Sequence, residues 1–338
     1  MVVEDAPVAV VGAGSWGTAL ASLLAVKRTR ITLWAREEEV VAGINQNHHN
    51  PHFLTDLELP KNLRAEGDLA GVTAHHKVLV MVVPTQFTRA VLAQMKPHLQ
   101  EDAVLVFASK GIETAQLSLV SEMCQQELPE AVARRACYLS GPSFAREVVA
   151  KQPAAVSIAG ADGEALEAIQ ALFFLPYFRT YSTQDVAGVE LGGALKNVIA
   201  LAAGISDGLG FGNSARAALI TRGLAEISRL GRFYGAQQET FAGLSGLGDM
   251  LMTASSTLSR NYSTGYRLGQ GETLDEIRSG SREVAEGVKT TEAAYQLAQK
   301  RQVDMPITQA VYAVLYEGVT PEKAVAALMG RGMKSEVE

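Results

Sequence analysis

The sequence predicts an α/β domain with a doubly wound, mainly parallel sheet, followed by an all-helical domain. Three observations carry that expectation. Short apolar, β-branched runs recur through the first half, each closed by a Gly, Ser or Pro break and followed by a helical pattern. These runs are continuously apolar rather than alternating, as strands covered on both faces are. From about Val186 the texture changes to Ala- and Leu-rich helical segments, with no further convincing strand. The boundary falls near 185–190, giving residues 1–187 and 188–338, and two domains suit a chain of 338 residues.

Taken in order, Val8–Val11 leads into Gly12-Ala-Gly-Ser-Trp-Gly17, and Ile31–Trp34 into Ala35-Arg36 and the acidic start Glu37–Glu39. Val78–Val83 ends at Pro84-Thr85, Val104–Phe107 at Ala108-Ser-Lys-Gly111, and Ala136–Leu139 at Ser140-Gly-Pro-Ser143. Ala154–Ile158 and Tyr177–Tyr181 bracket a helix over Gly163–Phe174. The later helical segments are Val189–Ile205, Ser214–Tyr234, Thr290–Gln299 and Pro306–Tyr316.

Composition removes other classes. With 47% hydrophobic and 20% charged residues, the chain is neither disordered nor low-complexity. A net charge of -6 argues against a general nucleic-acid binder. Cys124 and Cys137 are the only cysteines and form no CxxC, so a disulfide framework or cysteine zinc site is not expected. The acidic start and the shortness of the longest apolar run, Val198–Ile205, predict a soluble cytoplasmic protein without membrane insertion.

Gly12-x-Gly14-x-x-Gly17 follows a strand and opens a helix, the setting of a Rossmann-type dinucleotide turn. One glycine permits the tight turn, one the approach of a pyrophosphate, one the packing of helix on sheet. A turn kept only for packing is the competing reading. At the end of the second strand Arg36 stands where a carboxylate would grip the ribose of NAD, so it can pair with the 2′-phosphate of NADP. Glu37 follows directly and keeps NAD open, unless the acids there only favour a helix N-terminus.

Elimination then points to lysine. All six histidines lie within the first 98 residues, which leaves no His–Asp pair in the second half, and no Tyr-x-x-x-Lys occurs. The His48-His49-x-x-His52 group sits in an Asn/Pro loop, and no metal is expected there. Lys196 lies in a long apolar helical run in which Glu190 is the only other charge. Its plainer reading is an aliphatic stem with a snorkelling ammonium. Against that stand the adjacent Asn197, the small pair Gly192-Gly193, and Lys110 just past a strand. Ligands bind beyond the carboxyl ends of parallel strands, where Lys110, Thr85, Gly141 and Ser143 all fall. Asp249 follows a glycine-rich turn, and Arg260-Asn261 comes soon after. These could hold an ammonium and clamp a phosphate or carboxylate, or merely cap a helix and meet solvent.

Together the segments resemble bacterial NAD(P)-dependent glycerol-3-phosphate dehydrogenase, from Val8 to about Gly318. The resemblance rests on Ser109-Lys-Gly111, Ser140-Gly-Pro-Ser-Phe-Ala145, Leu195-Lys-Asn-Val198, Ala203-Gly-Ile-Ser-Asp-Gly-Leu209 and Ala217-Ala-Leu-Ile-Thr-Arg-Gly-Leu-Ala225. Gly246-Leu-Gly-Asp249, Ser259-Arg-Asn261 and Val284-Ala-Glu-Gly287 complete it. It implies that Lys196 is the proton acceptor and that Lys110 touches both cofactor and substrate. Ser15, Trp16, Arg36, Ala145, Val284 and Glu286 would surround the dinucleotide. Gly141, Ser143, Asp249, Thr253, Ser259, Arg260 and Asn261 would close on glycerol 3-phosphate or dihydroxyacetone phosphate, with Arg260 also reaching the cofactor. It further implies a homodimer formed through the helical half and a role in glycerophospholipid synthesis. The rival readings are a hydroxyacid or phosphogluconate dehydrogenase, which also uses a helical lysine with an adjacent asparagine, and a dinucleotide sensor without catalysis.

Overall fold

A computed structural model of the chain describes residues 6–279, 285–333 and 335–336. The first half alternates β1 (Val8–Val11), α1 (Ser15–Leu24), β2 (Ile31–Trp34), α2 (Glu38–Asn47), β3 (Leu63–Glu66), α3 (Leu69–His75), β4 (Val78–Met81) and α4 (Thr85–Met95). It continues with β5 (Val104–Phe107), α5 (Val120–Glu127), α6 (Glu130–Arg134), β6 (Cys137–Ser140), α7 (Ala145–Val149), β7 (Ala154–Gly160), α8 (Gly163–Phe173) and β8 (Phe178–Thr183). The helices that follow are α9 (Val186–Gly208), α10 (Asn213–Arg232), α11 (Gln238–Ala242), α12 (Asp249–Ala254), α13 (Arg260–Gly269), α14 (Leu274–Ser279), α15 (Glu286–Arg301), α16 (Pro306–Tyr316) and α17 (Pro321–Met329).

The strands form one sheet in the order β3-β2-β1-β4-β5-β6-β7-β8. Its pairs are parallel except β6 with β7. Every residue of β1, β4, β5 and β6 is buried, which explains the unbroken apolar character of the first three and of β6 up to Ser140. Val8, Val10, Val78, Val80, Val104 and Val106 enter one hydrophobic cluster, while Ala9, Val11, Leu79, Met81, Leu105 and Phe107 enter another on the opposite face. Edge strand β3 escapes the sequence reading for the same reason in reverse. Its Leu63-Arg-Ala-Glu66 buries alternate residues and turns Arg64 outward, so it carries no apolar run. The chain order switches direction between β1 and β4, and the carboxyl ends of strands at such a switch point are where ligands bind in open α/β sheets.

Helix α9 is the axis of the second half. By length and composition it is the one helix, among the described residues, that could cross a membrane, and 83% of the qualifying window is buried inside the protein. The uninterrupted run Val198–Ile205 understated it, because Glu190, Lys196 and the glycines break the run without breaking the helix. Helix α13 lies against it almost backbone to backbone. A Cβ at Gly204 would stand 2.1 Å from Tyr262 O, and one at Gly265 would stand 2.2 Å from Leu201 O. No side chain larger than hydrogen fits there, and the tight crossing brings the start of α13 over the middle of α9.

Candidate active site

The glycine turn separates into three physical roles. Gly12 has φ +114°, and a Cβ there would lie 2.8 Å from Val82 O beyond β4. A Cβ on Gly17 would collide with Gly12 O at 1.8 Å, so this glycine seats α1 on the sheet. Gly14 has nothing within 4 Å of its would-be Cβ. It is the N-cap of α1 and offers no side-chain cap. The helix therefore presents its first N–H groups toward open space, a fit for a pyrophosphate. Ser15 and Trp16 open the helix, and Trp16 Nε1 is buried with no partner among the described residues. Ala145 begins α7, which packs against α1.

Arg36 follows β2 with its side chain 82% exposed, and its guanidinium donates to Glu37 Oε1 at 3.0 and 3.2 Å. Glu37 is thus the N-cap residue of α2, but its carboxylate turns to Arg36 rather than to the helix. An exposed pair of this kind is worth only about 0–1 kcal/mol, so a dianionic phosphate can displace it.

The centre is a buried charge cluster. Lys110 follows β5, Lys196 projects from α9, and Asp249 is the first residue of α12, after the turn Leu244–Gly248. Asp249 is fully buried and accepts from Lys110 Nζ at 2.7 Å and from Lys196 Nζ. Lys196 Nζ also donates to Thr253 Oγ1 at 2.9 Å, and Thr253 Oγ1 donates to Asp249 O at 2.6 Å. Lys110 donates to Gly141 O at 3.1 Å, an oxygen that also accepts from Ser143 Oγ at 3.0 Å. The pair Gly192-Gly193 makes this convergence possible. A Cβ on Gly193 would stand 2.4 Å from Ser140 Oγ and 3.6 Å from Lys110 Cγ, and one on Gly192 would stand 2.5 Å from Ser245 O.

Burial is the strongest influence on Lys196 and pushes its amine down to about 7; Lys110 adds to the fall, while Asp249 opposes it. Burial by itself would raise the Asp249 carboxyl, but Lys110 and Lys196 hold it below the usual carboxylate range. Lys196 is therefore balanced between ammonium and amine near neutral pH, the condition for a group that both gives and takes a proton.

Asn197 and Asn261 tie the surrounding elements. Asn197 Nδ2 donates to Lys110 O at 3.4 Å, and its Oδ1 accepts from Asn261 Nδ2 at 2.9 Å. Asn261 Oδ1 in turn accepts from Gly287 N at 2.9 Å. Ser259 caps α13 through Tyr262 N at 3.2 Å. Arg260 begins α13, exposed, and attracts Glu286 at the start of α15, whose carboxyl burial raises against that attraction. Val284 lies outside the described residues. Sequence reasoning missed the clamp behind Lys110. Gln86 Nε2 donates to Ile112 O at 2.8 Å, and Arg89 grips Glu113 at 2.7 and 2.8 Å, both from α4. These partners are 24 and 26 residues apart in sequence, with no local signal to link them.

A dinucleotide turn at a sheet switch point, together with a buried lysine on the long helix of a helical second half, is the pattern of a dinucleotide-dependent oxidoreductase. Residues 7–166 match the family model for the N-terminus of NAD-dependent glycerol-3-phosphate dehydrogenase, and residues 185–326 match that for its C-terminus. The chain belongs to that family. It is 54% identical to the glycerol-3-phosphate dehydrogenase (NAD(P)+) of Geobacter metallireducens, over 97% of this chain and 98% of the relative. Identity to the Nitratidesulfovibrio vulgaris protein of the same name is also 54%, over 97% and 99%. The crystal structure of glycerol-3-phosphate dehydrogenase from Coxiella burnetii superposes with a TM-score of 0.92 at 37% identity, covering 97% of this chain and all of that one.

Proposed function

We propose that the cleft interconverts sn-glycerol 3-phosphate and dihydroxyacetone phosphate, with NADP or NAD as redox partner and Lys196 as the group that moves the proton. The observation that carries this reading is the buried Lys110–Asp249–Lys196 cluster beyond the ends of β5 and β6. A nicotinamide bound beside the glycine turn supplies the hydride in reduction and takes it up in oxidation. As an ammonium, Lys196 gives its proton to the ketone oxygen; as an amine, it accepts the proton of the hydroxyl. Asp249 and Thr253 hold its Nζ in place, and Lys110 keeps a fixed positive charge beside it.

Gly12, Gly14, Ser15, Trp16, Gly17, Arg36, Ala145 and Glu286 form the dinucleotide surroundings in this reading, with Lys110 and Arg260 shared between cofactor and substrate. Gly141, Ser143, Asn197, Ser259 and Asn261 line the substrate, and the Arg260 guanidinium suits a phosphate dianion. Residues 1–187 and 188–338 are read as cofactor and substrate domains. The finer expectations stand beside it: a cytoplasmic homodimer joined through the helical half, supplying glycerophospholipid synthesis, with neither nucleic acid nor membrane as partner. The net charge of -6 supports the expectation about nucleic acid, and the interior position of α9 the one about the membrane.

The test is NADPH oxidation, followed by near-ultraviolet absorbance, with dihydroxyacetone phosphate against hydroxyacid and phosphogluconate substrates. Turnover confined to the triose phosphate is expected. Turnover of another substrate in its place would sink the assignment. Replacing Arg36 by Asp is expected to move the preference from NADP towards NAD, because a carboxylate repels the 2′-phosphate and accepts the ribose hydroxyl. The ratio of kcat/KM for NADPH and NADH reads this directly, and an unaltered ratio removes Arg36 from phosphate recognition.

A further inference from the structure

Glu190 is a half-buried acid, its Oε2 shut away from solvent, for which the proposed chemistry has no use. It lies on α9, six residues before Lys196, and its Oε1 accepts the Ser121 N–H at 2.9 Å in the first turn of α5. Its Oε2 is buried and has no partner among the described residues, and the same is true of the Ser109 hydroxyl. Both residues line one small cavity of about 10 Å³, together with Lys110, Ser140, Tyr138 and Gly193. That is room for about one water molecule, and its wall offers several polar groups. Two of the lining residues reach the catalytic carboxylate. Lys110 Nζ donates to Asp249 Oδ2 at 2.7 Å, and Ser140 Oγ donates to the same oxygen at 3.5 Å.

We propose that Glu190 is a positioning residue that stores a proton behind the active site and returns it, through one cavity water and Ser140, to the Asp249–Lys196 pair. The inference rests on the reading of Lys196 as the donor. Each reduction of the ketone takes up one hydride and one proton, and leaves Lys196 as a neutral amine. Protonated Glu190 breaks its O–H bond and protonates the water, which passes a proton of its own to Ser140 Oγ. The Ser140 hydroxyl proton moves to the Asp249 carboxylate, and that same proton, passed on from Asp249, completes the new N–H bond on Lys196 and leaves Asp249 a carboxylate again. Glu190 ends as a carboxylate and takes its next proton from solvent, so the balance over a cycle is one proton consumed per ketone reduced.

Burial and the neighbouring Glu122 favour the protonated form of Glu190. Glu122 and Cys124 face it from α5, Tyr138 from β6, Tyr234 from beyond α10, and Lys110 from the end of β5. Burial first, with Glu122 adding, pushes its carboxyl up to about 7 against the Ser121 hydrogen bonds. It therefore holds a proton up to neutral pH, the range in which Lys196 needs one.

The experiment is Glu190→Gln in the full-length protein, assayed by NADPH-dependent reduction of dihydroxyacetone phosphate in increasing imidazole. The amide oxygen of glutamine still accepts from Ser121, but the side chain releases no proton. The expected result is a kcat about tenfold lower, with an unchanged KM for NADPH, recovering as the small acid is added. A purely structural role would lower the melting temperature without making the rate depend on imidazole. A folded variant with wild-type kcat and no imidazole dependence overturns the proposal. That result leaves the role of Lys196 standing, since Lys196→Ala reads that role separately. If Glu190→Gln does not fold, Ser109→Ala removes a ligand of the water and spares α5. It is expected to slow turnover several-fold in the same imidazole-dependent way, and unchanged turnover overturns the proposal equally.

Discussion

Replacing Lys196 by alanine is expected to lower kcat by about 10²–10⁴-fold, or ~3–5 kcal/mol of transition-state stabilisation, while NADPH still binds. The dinucleotide turn is built on β1 and α1, and its Gly12 and Gly17 pack against each other and Val82 rather than against α9. Initial rates and a fluorescence titration with NADPH separate the two effects. Arginine at this position is expected to fail as well, because a guanidinium stays protonated and cannot act as the base. The wild-type pH profile has a definite sign. With burial holding the amine near 7, the ammonium donor is lost as pH rises through that value, so reduction slows while oxidation speeds up. Near-normal turnover in the alanine variant would make Lys196 a structural lysine.

Changing Asp249 to asparagine is expected to have the second-largest effect, seen in both stability and rate. The carboxylate is fully buried between two amines, and asparagine keeps its shape without its charge. Removing one partner of a buried ion pair costs about 3–5 kcal/mol when the charge left behind has no escape. Here the escape is partial: Lys110 is 14% exposed at its side chain, and Lys196 can shed its proton. The loss should therefore be greatest below pH 7, where both amines are charged, and smaller above it. Asp249 is also the charge that holds the Lys196 amine up, so without it the alkaline fall in the reduction rate moves to lower pH. Urea denaturation on either side of neutrality, with the pH–rate profile, tests both. Wild-type stability with an unmoved profile would mean that Asp249 does not govern the amine.

The elements that were legible in the sequence share a physical property. Strands β1, β4 and β5 are buried on both faces, so every residue is apolar and the run announces itself. Edge strand β3 has one face in water, and its four residues are too few for an alternating pattern to stand out. Lys196 was legible because a charge in an otherwise apolar helix is conspicuous. Glu190 was equally visible as the only other charge in that run, but its unpaired oxygen and its cavity are three-dimensional facts. Arg36 and Glu37 were read as alternatives for NADP and NAD, whereas the structure pairs them with each other.

The sequence by itself determined the alternation of strand and helix, the glycine turn, and the identity of the two lysines, because these depend on local pattern and residue chemistry. Only the tertiary structure decided that Lys110, Lys196 and Asp249 share one buried site. Lys110 and Asp249 are 139 residues apart, and their meeting depends on glycines that let α9 approach the end of β6 and the turn before α12. The lowered basicity of Lys196 was decided there too, since a lysine shifts this far only when packing removes its water.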